Sequence, residues 1–308
     1  MTIAIAVDQD RAEHCLGASE AGGVLGLDKY NPPIAVWRRH RGMEVADDAD
    51  ESEPAKWGQI LEPVVRGVYA VERGVYVAVP TGSFVKDEWL RATPDGLVVD
   101  DPGHAGKVVE LPRELIESNA EFMSRAGGLQ VKTCASWLED DWRGAPPAKY
   151  EVQCRVEMAV CDLPWVDIVC LCGGQRLLGP FRIERDLAIE DRILTSLREF
   201  WRMVQEGIEP APDHTDAWRV HVAEKMARAE PVAIQADAEL RAELDIWRQA
   251  RLSTKRAAAR ETELRNTIML RLSAAQATRI ENGNERVTAY KARGTWSLKA
   301  PRAWKDDK

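Results

Sequence analysis

Apolar positions recur along the chain with two different periods, which predicts helices alternating with short strands. In residues 55–73, Ile60, Val64 and Val68 follow one another at i+4, as on one face of a helix. Pro63 is predicted to kink this helix or to mark its first turn. Similar patterns predict helices over residues 17–41 (broken at 31–33), 113–126, 150–160, 185–206 and 236–274. Strands are predicted at VYVAV (75–79), LRATPDGLVV (90–99) and WVDIVCLCGG (165–174).

The stretch GGLQVKT, residues 127–133, carries the clearest strand pattern. Leu129, Val131 and Thr133 alternate with Gln130 and Lys132, so the two polar side chains are predicted to leave the same face of a strand. The two preceding glycines predict a turn into that strand. These elements together predict an α/β fold, with a small mixed sheet flanked by helices.

Charge is distributed unevenly along the chain. The net charge of the 308 residues is −8, yet residues 251–308 contain fourteen Lys or Arg and six Asp or Glu. This C-terminal segment is therefore +8, and residues 1–250 are −16. A basic segment on an acidic body can hold DNA locally, because phosphate attraction is short-ranged in salt. A solvated helix with a basic bias explains the same charge equally well.

Composition predicts a globular protein of a reducing compartment. Apolar residues make up 45% of the chain and charged residues 30%, and no apolar run reaches the length of a membrane span. The N-terminus lacks the basic region of a signal peptide, and the six cysteines form no CxxC pair. We therefore expect a cytoplasmic location, in a bacterium or as a phage-encoded protein, with no membrane partner.

A linker composition, EGIEPAPDHTDA (206–217), predicts two parts: a core over residues 1–213 and an extension over 214–308. The extension is predicted to hold a long helix. An Asn-Gly pair near the end, between segments that suit strands, predicts a β-hairpin.

Several familiar sites are absent from the sequence. It contains no GxxxxGK[ST] loop for nucleotide phosphates and no HExxH pair for zinc, and GASEAGG lacks dinucleotide-fold spacing. Carboxylates and one lysine remain. If the strands pair, Asp95 of Pro-Asp-Gly converges with positions 130 and 132 at one end of a sheet.

Such a group of side chains suits metal-dependent cleavage of a phosphodiester. Mg²⁺ prefers hard oxygens, and one or two carboxylates, the Val131 carbonyl, waters and phosphate oxygens would provide them. Lys132 would then position an attacking water or stabilise developing charge. Each residue also has an ordinary explanation: Asp before Gly is common in turns, and a strand lysine is commonly solvated.

Five short motifs follow one another in a distinctive order. They are Arg11 with LGASEAGGVLG (16–26), GQILEP (58–63), RATPDGLVV (91–99), QVKT (130–133) and YEVQCRVEMAVCD (150–162). In this order they resemble the YqaJ-type viral recombinases, the lambda-exonuclease-like branch of the PD-(D/E)XK nucleases. The last two resemble the family patterns E-x-K-t and yyaQvqhqmavtg. The resemblance covers roughly residues 11–205 and implies a PD-(D/E)XK nuclease core.

The resemblance implies site roles at matching positions. Asp95 would bind Mg²⁺ (or Mn²⁺), Gln130 occupies the second ligand position, and Lys132 would be the catalytic lysine. Gln153 would orient the attacking water or hold the site together, unless it is a solvated helix residue. Glu62 would add a carboxylate near the metal, although an i,i+4 pair with Arg66 explains it too.

The same resemblance implies how DNA is held. Arg11 and Ser19 would bind the 5′-terminal phosphate, with a helix N-cap as the ordinary explanation of Ser19. In this family a trimeric ring encloses double-stranded DNA with free ends and degrades one strand from 5′ to 3′. The exposed strand then passes to a single-strand annealing protein. We therefore expect a homo-oligomer that acts on linear duplex DNA in recombination.

Gln130 departs from the family pattern, which has a glutamate there. The amide lacks the charge of a carboxylate, and losing an anionic ligand would slow catalysis by roughly 10²–10⁴-fold. One explanation is an inactivated form in which glutamate was replaced by glutamine. The other is a natural variant in which another carboxylate substitutes, with Glu110 as a candidate.

The basic C-terminal segment is a candidate DNA contact. Its Lys, Arg and Trp side chains suit phosphate contact plus stacking, and the candidates are Arg286, Lys291, Arg293, Trp296 and Lys299. Binding of a protein partner is the alternative. Two other functions remain open: a DNA-binding scaffold with weak catalysis, and a structure-specific endonuclease of the same fold.

Overall fold

The computed structural model describes residues 14–43, 53–227, 233, 235–282, 285–292 and 295–299. Contacts divide the chain into two compact units, Met1–Ala229 and Glu230–Lys308. No helix among the described residues combines the length and the apolar character needed to cross a membrane.

The strands of the first unit build two sheets. They are β1 (Leu16–Gly17), β2 (Tyr76–Thr81), β3 (Phe84–Lys86), β4 (Leu90–Ala92), β5 (Gly96–Val99), β6 (Val108–Pro112), β7 (Gly127–Cys134), β8 (Trp165–Cys172) and β9 (Arg176–Glu184). Six of them form a mixed central sheet in the order β6-β2-β5-β7-β8-β9, and a small sheet has the order β1-β4-β3.

The helices of the first unit lie on both faces of the central sheet. They are α1 (Ala21–Val24), α2 (Pro33–His40), α3 (Glu53–Arg73), α4 (Arg113–Glu117), α5 (Ala120–Arg125), α6 (Ala148–Cys161), α7 (Leu187–Glu206) and α8 (Asp216–Ala227), with 3₁₀ turns at Ala18–Glu20 and Ser136–Trp142. The predicted α/β class is confirmed.

The alternation along β7 sorts its side chains between two cores. Leu129 and Val131 pack in a cluster with Val65 and Tyr69 of α3. Successive side chains of a strand point to opposite faces, so Gln130 and Lys132 lie on the other face. Gln130 is hydrogen-bonded there to Gln153 of α6. The strand thus sends its apolar residues towards α3 and its polar pair towards α6.

A buried carboxylate, paired with an exposed arginine, ties α3 to the sheet. Asp167 of β8 is 1% exposed, and Arg182 of β9 donates to both its oxygens at 2.8 and 2.9 Å. The Tyr69 hydroxyl donates to the same carboxylate at 2.7 Å. The Arg182 guanidinium also lies 3.7 Å from the centroid of the Trp165 ring. The Asp167 carboxylate is therefore neutralised and hydrogen-bonded, and it connects α3, β8 and β9.

The last helix of the first unit is held by a buried arginine, Arg38. Arg38 of α2 contacts His221 Nδ1 at 2.9 Å and donates to Glu224 at 2.8 Å, both on α8. Helix α8 therefore belongs to the first unit, which extends past residue 213, where the linker composition predicted a boundary.

The predicted helices and strands differ from the structure in identifiable places. Helix α3 runs continuously through Pro63, so Pro63 does not mark a first turn. The stretch 90–99 is two strands of different sheets, β4 and β5. Strand β9 was not predicted, because its sequence RLLGPFRIE lacks a regular alternation and contains Gly-Pro. The acidic stretch 44–52 lies outside the described residues.

The glycines before Leu129 do not form the predicted turn. Gly127 and Gly128 are the first residues of β7, and neither has a positive φ. Their role is steric: a Cβ on Gly127 would lie 2.2 Å from the Trp165 ring, and one on Gly128 would lie 2.8 Å from Val166. The neighbouring strand β8 occupies the space that side chains would need.

The second unit consists of a long helix and a three-stranded sheet. The elements are α9 (Ala238–Ala274), β10 (Arg279–Asn282), β11 (Glu285–Ala292) and β12 (Thr295–Lys299). The predicted long helix is confirmed. The predicted hairpin is larger than expected, since a third strand pairs with β11 in an antiparallel sheet.

We predict that Gly127→Ala destabilises the first unit by about 1–3 kcal/mol, because the added methyl overpacks against the half-buried Trp165 ring. The matched control is Gly67→Ala in α3, where nothing lies within 4 Å of the added Cβ. That change should stabilise by about 0.5–1 kcal/mol, since alanine suits a helix better. Equal urea midpoints for the two variants would contradict the steric role of Gly127.

Candidate active site

Asp95 lies at the start of β5, where the chain passes from the small sheet to the central one. Strand β5 pairs with β7 in antiparallel register, with Gly96 opposite Leu129. Asp95 Oδ2 accepts hydrogen bonds from the Val131 backbone N–H at 2.6 Å and from Gln130 Nε2 at 2.5 Å. The expected convergence of positions 95 and 130 is therefore observed.

A chain of polar side chains continues from Gln130 into the interior. Gln153 Nε2 donates to Gln130 Oε1 at 3.0 Å and to Glu157 Oε1 at 2.9 Å. Gln130, Gln153 and Glu157 are 2%, 8% and 1% exposed. Gln153 is thus buried, not the solvated helix residue of the alternative, and it bridges β7 to a second carboxylate.

Burial shifts both carboxylates of this chain in the same direction. It raises the pKa of Asp95 to about 6, with Lys132 opposing the shift and Glu62 adding to it. It raises the pKa of Glu157 to about 8, and the negative charge of Asp95 contributes. Each carboxylate therefore holds its proton more tightly than in water unless a cation is near.

Lys132 lies two residues beyond Gln130, on the same face of β7. Its Nζ is 5.1 Å from the centroid of the Tyr150 ring, and Lys149 approaches the same ring at 4.9 Å. Tyr150 in turn stacks on Trp142, with ring centroids 5.5 Å apart. The aromatic pair supports the ammonium group beside the carboxylates by cation–π attraction.

Glu62 is placed on α3, the helix that covers the Val131 face. It makes an ion pair with Arg66, as the i,i+4 alternative expected. Its charge also reaches Asp95, since it contributes to the raised pKa of that residue. A role of Glu62 in holding metal stays a prediction.

The residues predicted to hold a 5′-phosphate are only partly described. Arg11 lies outside the described residues. Ser19 is exposed within the 3₁₀ turn Ala18–Glu20, where Gly17 occupies the N-cap position. Glu20 accepts the Gly17 N–H at 2.9 Å, so a carboxylate at position 20 makes this capping bond. The N-cap explanation of Ser19 is therefore wrong, and its phosphate role stays a prediction.

The C-terminal candidates divide between the two faces of their sheet. Lys291 and Trp296 are cross-strand partners and share a face. Lys299 is the cross-strand partner of Thr288. Arg286 lies two residues before Thr288 on β11 and so points to the same face, which means that Arg286 and Lys299 share the other face. Arg293 lies outside the described residues. The candidates therefore do not form one continuous basic surface.

Each face of that sheet has its own surroundings. Trp296 lines a cleft of about 660 Å³ together with Leu272 of α9 and Ala289 of β11. The opposite face carries Tyr290, which is 45% exposed. Arg286 lies on that face within 3.4 Å of Glu281. The second face combines basic side chains with an accessible aromatic ring.

Glu157 is the residue that sequence reasoning missed. It follows Gln153 by one helical turn, a spacing that places both on the same face of α6. In the family pattern quoted above, the matching position carries a glutamine. Glu110, the proposed substitute carboxylate, is exposed on the edge strand β6, and β2 and β5 separate that strand from β7.

The oxygens gathered around Asp95 suit a hard divalent cation. Within the described ranges, no three or more His, Cys, Asp or Glu side chains are grouped so that they could hold a metal ion. However, Mg²⁺ is commonly held by one or two carboxylates plus waters and phosphate oxygens. Glu157 Oε2 is buried and accepts no hydrogen bond from any described residue. Asp95 and Glu157, with the Gln130 amide and the Val131 carbonyl, are the oxygen donors that this part of the structure offers to such an ion.

The fold and this group of side chains define a mixed α/β protein with a polar site at the junction of two paired strands and a covering helix. The sequence model of the YqaJ-like viral recombinase domain matches residues 8–164, which is half of the chain. The chain therefore belongs to the YqaJ-like viral recombinase family, and the resemblance identified from the motifs is confirmed.

Individual relatives are distant. The uncharacterized protein YqaJ of Bacillus subtilis (strain 168) is 24% identical over 221 residues, 70% of this chain and 61% of that protein. The chain thus spans less than two thirds of the length of this curated relative.

Several solved structures are similar to the chain. The alkaline exonuclease LHK-Exo from Laribacter hongkongensis is 21% identical with a TM-score of 0.47, covering 72% of this chain and 97% of that one. A phage-related exonuclease from Haemophilus somnus 129PT is 12% identical with a TM-score of 0.37, covering 68% and 96%. Similarity at this level is too weak to assign an activity.

We predict that the stability of the metal-free protein falls as pH rises from about 4.5 to 8, because Glu157 has a raised pKa in the folded state. Its stabilising contribution is complete below the unfolded value near 4.5 and is lost as pH rises through about 8. Glu157→Gln should flatten this decline, measured by urea unfolding with a chelator present. The control Glu151→Gln removes a carboxylate of α6 that pairs with Arg155, outside the buried chain. An equally steep decline in Glu157→Gln would show that Glu157 is not the cause.

Proposed function

We propose that the chain is a metal-dependent exonuclease that degrades one strand of linear double-stranded DNA from its 5′ end. The observation that carries the proposal is the pairing of β5 with β7, which gathers Asp95, Gln130 and the Val131 backbone at one point. Membership in a viral recombinase family supports action on DNA. The polarity comes from the family resemblance alone.

Each side chain of the site has a specific task in this proposal. Asp95 would hold Mg²⁺ or Mn²⁺, which when bound supplies charge neutralisation at the scissile phosphate and a more acidic water. Lys132, supported on Tyr150, would orient the attacking water, take up its proton or stabilise charge that develops on the phosphate. Gln153 holds the Gln130 amide by its hydrogen bond.

Other parts of the proposal concern assembly and partners. A homo-oligomeric ring around the duplex and transfer of the 3′ strand to a single-strand annealing protein would follow from the family resemblance. Helix α3 supports self-association, since it exposes an apolar stripe of Trp57, Ile60, Val64, Val68 and Val71. Light scattering of the purified chain measures the oligomeric state directly.

We predict that the chain with Mg²⁺ degrades linear duplex DNA and spares closed circles, and that a chelator stops the reaction. Asp95→Asn and Lys132→Met should each lower the rate by roughly 10²-fold or more, since they remove a metal ligand and a positioned cation. The measurement is release of nucleotides from end-labelled duplexes bearing a 5′-phosphate or a 5′-hydroxyl. Cleavage of closed circles would favour an endonuclease. Binding without cleavage would favour a DNA-binding scaffold or the form inactivated at Gln130, and Gln130→Glu would restore cleavage only in the second case.

The second unit is proposed to contact DNA phosphates through the face that carries Arg286, Tyr290 and Lys299. We predict that the double variant Arg286→Gln/Lys299→Gln binds duplex more weakly. Its slope of log affinity against log salt should be shallower by about 0.9 for each lost phosphate contact. The matched control is Lys291→Gln on the opposite face of the same sheet. If both variants keep the original affinity and slope, a protein partner is the better assignment for this sheet.

A further inference from the structure

The buried position of Glu157 needs an explanation, since a carboxylate in the interior is costly unless it is paired or bound to metal. One of its oxygens accepts from Gln153 Nε2 at 2.9 Å. The other, Oε2, is buried and accepts nothing from the described residues. No Lys or Arg of the described ranges forms an ion pair with it. A buried carboxyl oxygen without a described hydrogen-bond partner is a position where a bound ion provides an explanation.

Gln153 places this carboxylate in the same site as Asp95. Its single Nε2 donates both to Gln130 Oε1 and to Glu157 Oε1, so these two oxygens lie within about 6 Å of each other. Gln130 in turn donates to Asp95. Three hydrogen bonds therefore connect two carboxylates, one from β5 and one from α6, through two amides.

We propose that Glu157 is the second anionic metal ligand of this protein and supplies from helix α6 the charge that Gln130 lacks on strand β7. This inference rests on the proposed metal-dependent function and assigns its ligand set. With Asp95 and Glu157 the site keeps two carboxylates, the number that Mg²⁺ and Mn²⁺ sites commonly use alongside waters and phosphate oxygens. The chain is then a natural variant that keeps two carboxylates at the metal site, with Glu157 in place of a glutamate at position 130. Gln130 is a neutral residue that connects the two acids by hydrogen bonds.

The proposal is tested by moving the carboxylate between the two positions. Four proteins are compared: the unchanged chain, Glu157→Gln, Gln130→Glu, and the exchange variant Gln130→Glu/Glu157→Gln. Binding of Mn²⁺ is measured by calorimetry without DNA, and degradation of linear duplex is measured separately. Glu151→Gln, on the same helix but paired with Arg155, is the control for loss of charge from α6.

We expect Glu157→Gln to weaken Mn²⁺ binding by about tenfold to 100-fold, since even groups outside the coordination shell cost that much. The exchange variant should recover most of the affinity, and Glu151→Gln should match the unchanged chain. Activity should follow the same order. Thermal unfolding verifies that each variant folds, and Glu157→Asp, which keeps the charge, replaces Glu157→Gln if the latter does not fold; its shorter carboxylate should weaken binding as well.

Two results would overturn the proposal: Mn²⁺ affinity unchanged in both Glu157 variants, or an exchange variant as weak as Glu157→Gln. The proposed nuclease function fails in a different way. If Mn²⁺ binding shows the expected ranking but linear DNA stays intact, Glu157 remains a metal ligand and the nuclease function is wrong. If Glu157→Gln degrades DNA as well as the unchanged chain does, the nuclease function remains and Glu157 is not a required ligand.

Discussion

The hydrogen bond from the Val131 N–H to Asp95 depends on the register between β5 and β7, and so does the rest of the site. Gly96 lies opposite Leu129, which puts the side chain of residue 95 beside residues 130 and 131. A slip of one residue would send Gln130 and Lys132 to the α3 face and Val131 to the α6 face. Gly127 and Gly128 constrain the pairing of β7 with β8, because Trp165 and Val166 lie too close for a side chain at either position.

The residues that stabilise the fold and the residues of the candidate active site lie on opposite faces of the central sheet. On the α3 face, the Asp167–Arg182 pair and the Tyr69 hydroxyl satisfy one another and leave apolar packing around them. On the α6 face, the polar chain from Asp95 to Glu157 is hydrogen-bonded but carries two carboxylates with raised pKa values. The bonded ion pair and the apolar packing on the α3 face stabilise the sheet and offset the cost of burying two carboxylates on the α6 face.

Much of this arrangement is predictable from local patterns, and the rest depends on contacts between distant residues. The alternation at 129–133 and the i+4 spacings in α3 and α9 are local, so strand β7 and those helices follow from the sequence. Asp95 and Lys132 are recognisable as candidates because Pro-Asp-Gly and Gln-x-Lys lie next to strand patterns. The steric role of Gly127 depends on Trp165, thirty-eight positions later, and no local pattern reveals it. Glu157 is not recognisable as a site residue from the sequence, because most glutamates on helices are exposed and only the structure shows that this one is buried. The separation of Lys291 from Lys299 on two faces required the strand register.

The hydrogen bonds between the two carboxylates also have a direction. Gln153 donates hydrogen bonds to Gln130 on one side and to Glu157 on the other, and Gln130 donates to Asp95, so every donor in the row points away from Gln153. Both ends of this row are carboxylate oxygens and its middle is the NH₂ group of Gln153. Positive charge is therefore favoured at either end of the row and disfavoured at its centre.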